Sequence, residues 1–223
     1  MRRVLVLALA AAACAVAAAP AGATNECRGL QVCVPIAGPW VLAPASGVQF
    51  QLACPRRFIV GGLDAELTSR GIDVGFVGSL GSPVNPGITT STSAVFLGRL
   101  LRGRDPVPSF RPHIGCVPAS GAGQRTPTAF HPFPPGKPSD RRIVQLAVRA
   151  GKTLRYIARC PANERLTSVS HAVGFYSDAP PSAALARAVQ VTQQGARLTI
   201  RASRAVAHTV AVVQVDLLCV AAG

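Results

Sequence analysis

The sequence predicts an all-β protein of two tandem, duplicated sandwich units, each closed by an internal disulfide. Three observations predict it. VQFQLACP (Val48–Pro55) has a second copy in LRYIARCP (Leu154–Pro161), and both are alternating runs that end in Cys-Pro. Each is answered roughly sixty residues later by a cysteine on another apolar run, at Cys116 and Cys219. Between these marks lie short apolar segments broken by Gly, Pro and Ser, which is how a small β-sandwich reads.

The duplication extends beyond the Cys-Pro strands. Pro39–Cys54 aligns without a gap over Gln145–Cys160. Val48, Phe50, Leu52 and Cys54 then correspond to Leu154, Tyr156, Ala158 and Cys160, and period-two spacing puts each set on one strand face. Val74-Gly75-Phe76 matches Val173-Gly174-Phe175, Val95–Leu100 matches Leu198–Ser203, and Phe110–Val117 matches Val213–Val220. A period of about 100 residues is a duplicated domain, because solenoid repeats are only about 20–50 residues long.

Residues 1–23 read as a secretory signal peptide: Met1-Arg2-Arg3, a short apolar run, then Ala21-Gly22-Ala23 as a small-residue cleavage site. The rival reading is a lipid anchor at Cys14, which follows three alanines but lacks the large apolar residue of a lipobox. No later apolar run is long enough to span a membrane. An even set of cysteines behind a signal peptide implies an oxidising, extracellular compartment.

Residues 24–118 form the first unit, opening with Cys27 and Cys33. These two close a small disulfide loop; a metal site would need further ligands, and no neighbouring His or Cys offers them. Strands are expected at Trp40–Leu42, Val48–Cys54, Phe58–Gly61, Ile72–Val77, Ala94–Leu101 and Phe110–Val117, with a loop over Gly81–Ser93. Pro108 and Pro112 place the last of these strands at a sheet edge. Residues 119–140 are a Gly- and Pro-rich linker, in which Phe130 and Phe133 are expected to pack on a neighbouring unit; the alternative is a partner-recognition site made of Phe130, His131 and Phe133. Residues 141–223 form the second unit, with strands at Ile143–Arg149, Thr153–Cys160, Leu166–Val173, Arg187–Thr192, Arg197–Ala202 and Thr209–Val220. Ser182–Ala188 can start one helical turn. Six short strands per unit suit an immunoglobulin-like sandwich, and so small a core calls for a staple. The linker permits the two units to share an interface without requiring it.

If both copies share one fold, Cys54 pairs with Cys116 and Cys160 with Cys219, leaving Cys27 for Cys33. Bridges that cross the repeats are the alternative. Cys219 alternates with Ala211, Val213, Val215 and Leu217, so it points into a core. Closing a loop of about 60 residues contributes roughly 4 kcal/mol in the chain-entropy model.

Cys160-Pro161-Ala162-Asn163 with Val215–Cys219, and Cys54-Pro55 with Ile114-Gly115-Cys116, resemble the Cys-Pro repeats of secreted proteins of high-GC actinobacteria. Gly61-Gly62 fits the Gly-rich part of that pattern, and Thr167-Ser168 departs from it. The resemblance implies a disulfide-bonded β-sandwich and no activity.

Catalytic signatures are absent from the sequence: there is no G-x-S-x-G, H-E-x-x-H, Walker or EF-hand pattern. The hydrolase alternative rests on Asp64 and Glu66, two apart like paired glycosidase carboxylates, or on a His/Asp pair drawn from His113 and Asp216. His113 and Asp216 occupy matching positions of the two closing strands and differ in type, which favours two solvent-facing polar positions. The acids Asp64 and Glu66 read as solvated, and His171 and His208 as surface or hydrogen-bonded histidines. The residues imply no cofactor.

Basic charge is the one strong chemical signal. The formal net charge is +14, and losing Arg2 and Arg3 with the leader lowers it by only two. Arg56, Arg57, Arg99, Arg102, Arg104, Arg111, Arg141, Arg142, Arg149, Arg155 and Arg159 are the candidate anion-binding residues. They favour an anionic cell-envelope polymer or polysaccharide. Specific nucleic-acid binding is not expected, because no aromatics interleave with the arginines. The expectation is therefore a secreted, non-enzymatic binding or structural module with a basic surface.

Overall fold

A computed structural model describes residues 24–30, 32–78, 92–103, 105–119 and 140–222. The expected signal peptide with Cys14, the candidate Arg104, most of the Gly81–Ser93 loop and most of the linker with Phe130, His131 and Phe133 lie outside them.

Strands make up most of the described chain's regular structure. The first half carries β1 (Val34–Ala37), β2 (Trp40–Leu42), β3 (Val48–Ala53), β4 (Phe58–Leu67), β5 (Ile72–Gly78), β6 (Ser93–Leu100) and β7 (Ser109–Pro118). The second carries β8 (Asp140–Val148), β9 (Thr153–Ile157), β10 (Glu164–Tyr176), β11 (Val189–Gln194), β12 (Arg197–Ala202) and β13 (Val210–Ala221). One short helix, α1 (Ala183–Arg187), is capped by the Ser182 hydroxyl, which accepts the Leu185 N–H. β1 had no counterpart among the expected strands. β4 runs well past its expected end at Gly61, because Asp64 and Glu66 keep strand geometry despite their polarity, and β10 adds Glu164 and Arg165 before its expected start and Gly174, Phe175 and Tyr176 after its expected end.

Pairing in the two halves follows one scheme. In the first, β7 lies between β4 and the end-to-end pair β1 and β2, and β6 lies between β3 and β5. In the second, β13 lies between β10 and β8, and β12 lies between β9 and β11. All pairs are antiparallel. Cys54–Cys116, Cys160–Cys219 and Cys27–Cys33 are the disulfides, with Cα separations of 5.7, 5.9 and 5.6 Å.

The edge position expected for β7 is wrong. β7 is flanked on both sides, and Pro112 is tolerated for a local reason. Its carbonyl accepts from Gly38 N–H at 2.8 Å, so its missing donor faces the break between β1 and β2.

β2 also pairs with β10, Trp40 opposite Phe175 and Val41 opposite Gly174. The two larger sheets are thereby one seven-stranded sheet. Alternation along β2 and β10 then sends the two cores to opposite faces. Val41 and Ala172 join Phe50, Phe96, Phe110 and Ile114 under the β3–β6–β5 sheet. Phe175, with Leu42 packed against it, joins Val213, Val215, Leu217, Leu198 and Ile200 under the β11–β12–β9 sheet. Pro39 lies across this seam, where a Cβ on Gly174 would come within 2.6 Å of its ring.

Candidate functional site

The outer face of β4 and β7 gathers the residues singled out for hydrolysis. Register places Asp64 opposite His113 and Glu66 opposite Arg111. The loop closed by Cys27–Cys33 lies on this face and inserts Glu26, which is 4% exposed. His113 Nδ1 is 3.6 Å from Glu26 Oε1, and Nε2 is 3.0 Å from Glu66 Oε1. Nε2 makes no hydrogen bond to Glu66 despite this distance, because it is not aligned for one. Asp64 accepts the backbone N–H of Asn25 at 2.6 Å and of Ala65 at 2.8 Å. Thr24 donates its hydroxyl to Glu26 Oε1.

Two glycines make this contact possible. Gly62 sits at the β4 bulge and pairs with Gly115 of β7. A Cβ on either would overlap the Glu26 carbonyl. The local chemistry is that of a clamp: three carboxylates and one imidazole hold a disulfide loop against a sheet. His113 and Asp216 are not the solvent-facing positions expected of them. They are 5% and 7% exposed, His113 under the N-terminal loop and Asp216 against Arg141 at 3.3 Å. Burial pushes the Asp216 carboxyl above its ordinary value, with Arg141 acting in the opposite direction.

The candidate arginines do not form one face. Arg99 meets Asp73 at 3.5 Å, Arg141 meets Asp216, and Arg142 meets Glu164 at 2.7 Å. Arg111 donates from Nε to the Gly38 carbonyl. Arg56, Arg57, Arg102, Arg149 and Arg159 are exposed. Arg155 alone of the set joins a defined array.

That array is the outer face of the β9–β12–β11 sheet. Three rows cross it: Thr153–Arg201–Gln190, Arg155–Thr199–Thr192 and Ile157–Arg197–Gln194. Leu198, Ile200 and Ala202 are buried on the opposite side, so alternation turns these residues outward. Eight of the nine are exposed and Thr199 is half-buried. No acidic side chain interrupts the face. Arg155, Arg197 and Arg201 form a triangle, with Arg197 and Arg201 about 13 Å apart along β12 at strand rise. A shallow basin of about 490 Å³ lies over them. Arg197 and Arg201 were overlooked in the sequence. Their signal was the pair of alternating runs Thr153-x-Arg155-x-Ile157 and Arg197-x-Thr199-x-Arg201 on neighbouring strands.

Cys160, Cys219 and Glu164 converge closely enough to suggest a metal site among the described residues. The two sulfurs are bonded to each other and Glu164 is paired with Arg142, so the group does not offer free ligands. No helix among the described residues is long and apolar enough to cross a membrane.

Comparison with known proteins gives no match to a family model, to a curated protein or to a solved structure.

Proposed function

We propose that the chain is a secreted, non-enzymatic binding module of two duplicated immunoglobulin-like sandwich units, joined through their larger sheets. Its partner is an anionic polymer of the cell envelope or its surroundings, met on the outer face of β9–β12–β11. The observation that carries this reading is the acid-free array of Arg155, Arg197 and Arg201 among Thr and Gln side chains. Guanidinium groups suit carboxylate, sulfate or phosphate, and the hydroxyls and amides between them suit a hydroxylated polymer. The identical strand pairing of the two halves supports the duplication. Three disulfides support an oxidising compartment. The His113 cluster supports anchorage of the N-terminal loop over hydrolysis, because its carboxylates already hold protein groups.

The test is binding of the full chain to immobilised polygalacturonate. Replacing Arg155, Arg197 and Arg201 together by Ser is expected to weaken binding about tenfold, at roughly 0.5 kcal/mol for each exposed ion pair. Replacing Arg56, Arg57 and Arg149 by Ser removes the same charge elsewhere and is expected to change affinity less than about twofold. Equal losses in both triple variants would reduce the reading to net charge alone.

A further inference from the structure

A groove of about 310 Å³ opens where the two halves meet. Leu42 of β2, Val173 of β10, Val48, Val107 and Ala186 of α1 line it, with His171 as the one polar side chain among its lining residues. Its size and apolar walls are those of a small-molecule site rather than a protein-docking surface.

His171 gives the groove a defined polarity. The Gln193 amide nitrogen donates to the Val169 carbonyl at 2.9 Å and the Gly195 carbonyl at 3.3 Å. Its Oε1 is therefore the acceptor facing His171 Nδ1, 2.7 Å away. Nδ1 must carry the hydrogen of the neutral ring, and Nε2 is left as a lone-pair acceptor.

We infer that this groove binds a small apolar molecule bearing a single hydrogen-bond donor, such as an alkylphenol or a fatty alcohol, with the donor directed at His171 Nε2. The site is independent of the arginine face.

The experiment is calorimetric titration of the full chain with para-hexylphenol and with its methyl ether, which cannot donate. The phenol is expected to bind about tenfold tighter than the ether, the upper range for one neutral hydrogen bond. In His171→Leu the two compounds are expected to bind alike, at the level of the ether. Ala186→Phe, which fills the groove, is expected to abolish binding of both. The inference is overturned if neither compound binds the wild-type chain or if the two bind it equally. It is also overturned if His171→Leu still discriminates or if Ala186→Phe binds as before. Should a variant fail to fold by circular dichroism, the comparison of phenol with ether on the wild-type chain decides alone.

Discussion

Gln214 of β13 clasps the backbone of Gln51 of β3, 163 residues earlier. Its Oε1 accepts the Gln51 N–H at 2.6 Å and its Nε2 donates to the Gln51 carbonyl at 3.0 Å. The side-chain amide takes the place of a neighbouring strand at the free edge of β3, satisfying two groups that would otherwise face a buried seam. Gln214 itself is 1% exposed. Together with the β2–β10 pairing, this contact makes the halves a single packed body at the level of their backbones.

Gln214→Leu keeps the volume of the side chain and removes both bonds. The stranded Gln51 groups and the lost bonds are expected to cost about 2–3 kcal/mol. Guanidinium denaturation followed by the single tryptophan, Trp40 at the seam, reads this as a lower midpoint. An unchanged midpoint would mean that water replaces the clasp at no cost.

The sequence carried the strand plan because local alternation and Cys-Pro turns are local signals. The β9–β12–β11 strands and the Ser182 cap were readable for that reason. What covers each outer face was not readable. Asp64, Glu66 and His113 correspond in register to Ser170, Ala172 and Asp216, yet the first set is covered by a disulfide loop and the second lies toward β3 and Arg141. Equivalent positions with different covers acquire different chemistry, so a duplicated alignment reports them as unexplained polar differences. Likewise Arg197 and Arg201 become partners of Arg155 only once register is known, and register is a non-local property.

Gly115→Ala tests the clamp on the N-terminal loop. The new Cβ overlaps the Glu26 carbonyl and stands 2.8 Å from Cys33 Sγ, so the loop must lift. The expected cost is about 1–3 kcal/mol, as for other overpacked sites. Trypsin should then cut at the exposed Arg28 several-fold faster than in wild type, while cleavage at Arg197 and Arg201 stays the same. Unchanged cleavage at Arg28 would show that the loop does not depend on close approach at this glycine.

Asp216 sets a pH dependence whose direction follows from its raised pKa. A raised folded value means that the folded state holds the proton more tightly than the unfolded chain does. Above that raised value Asp216 is ionised and opposes folding. As pH falls through it toward the ordinary carboxylate range near 4, the opposition disappears. Asp216→Asn removes the titration, so its stability relative to wild type is expected to be highest near pH 7 and to decline on acidification across that window. Arg141 limits the gain at pH 7, because its side chain is only 15% exposed and Asp216 is its counterion at 3.3 Å. Arg141→Met is expected to act oppositely: it strips the one influence that favours the charged carboxylate, so it should destabilise most at pH 7 and least in acid. Melting temperatures of the three proteins between pH 4 and 7.5 decide the matter. Parallel curves would show that Asp216 carries the same proton occupancy in the folded and unfolded chains.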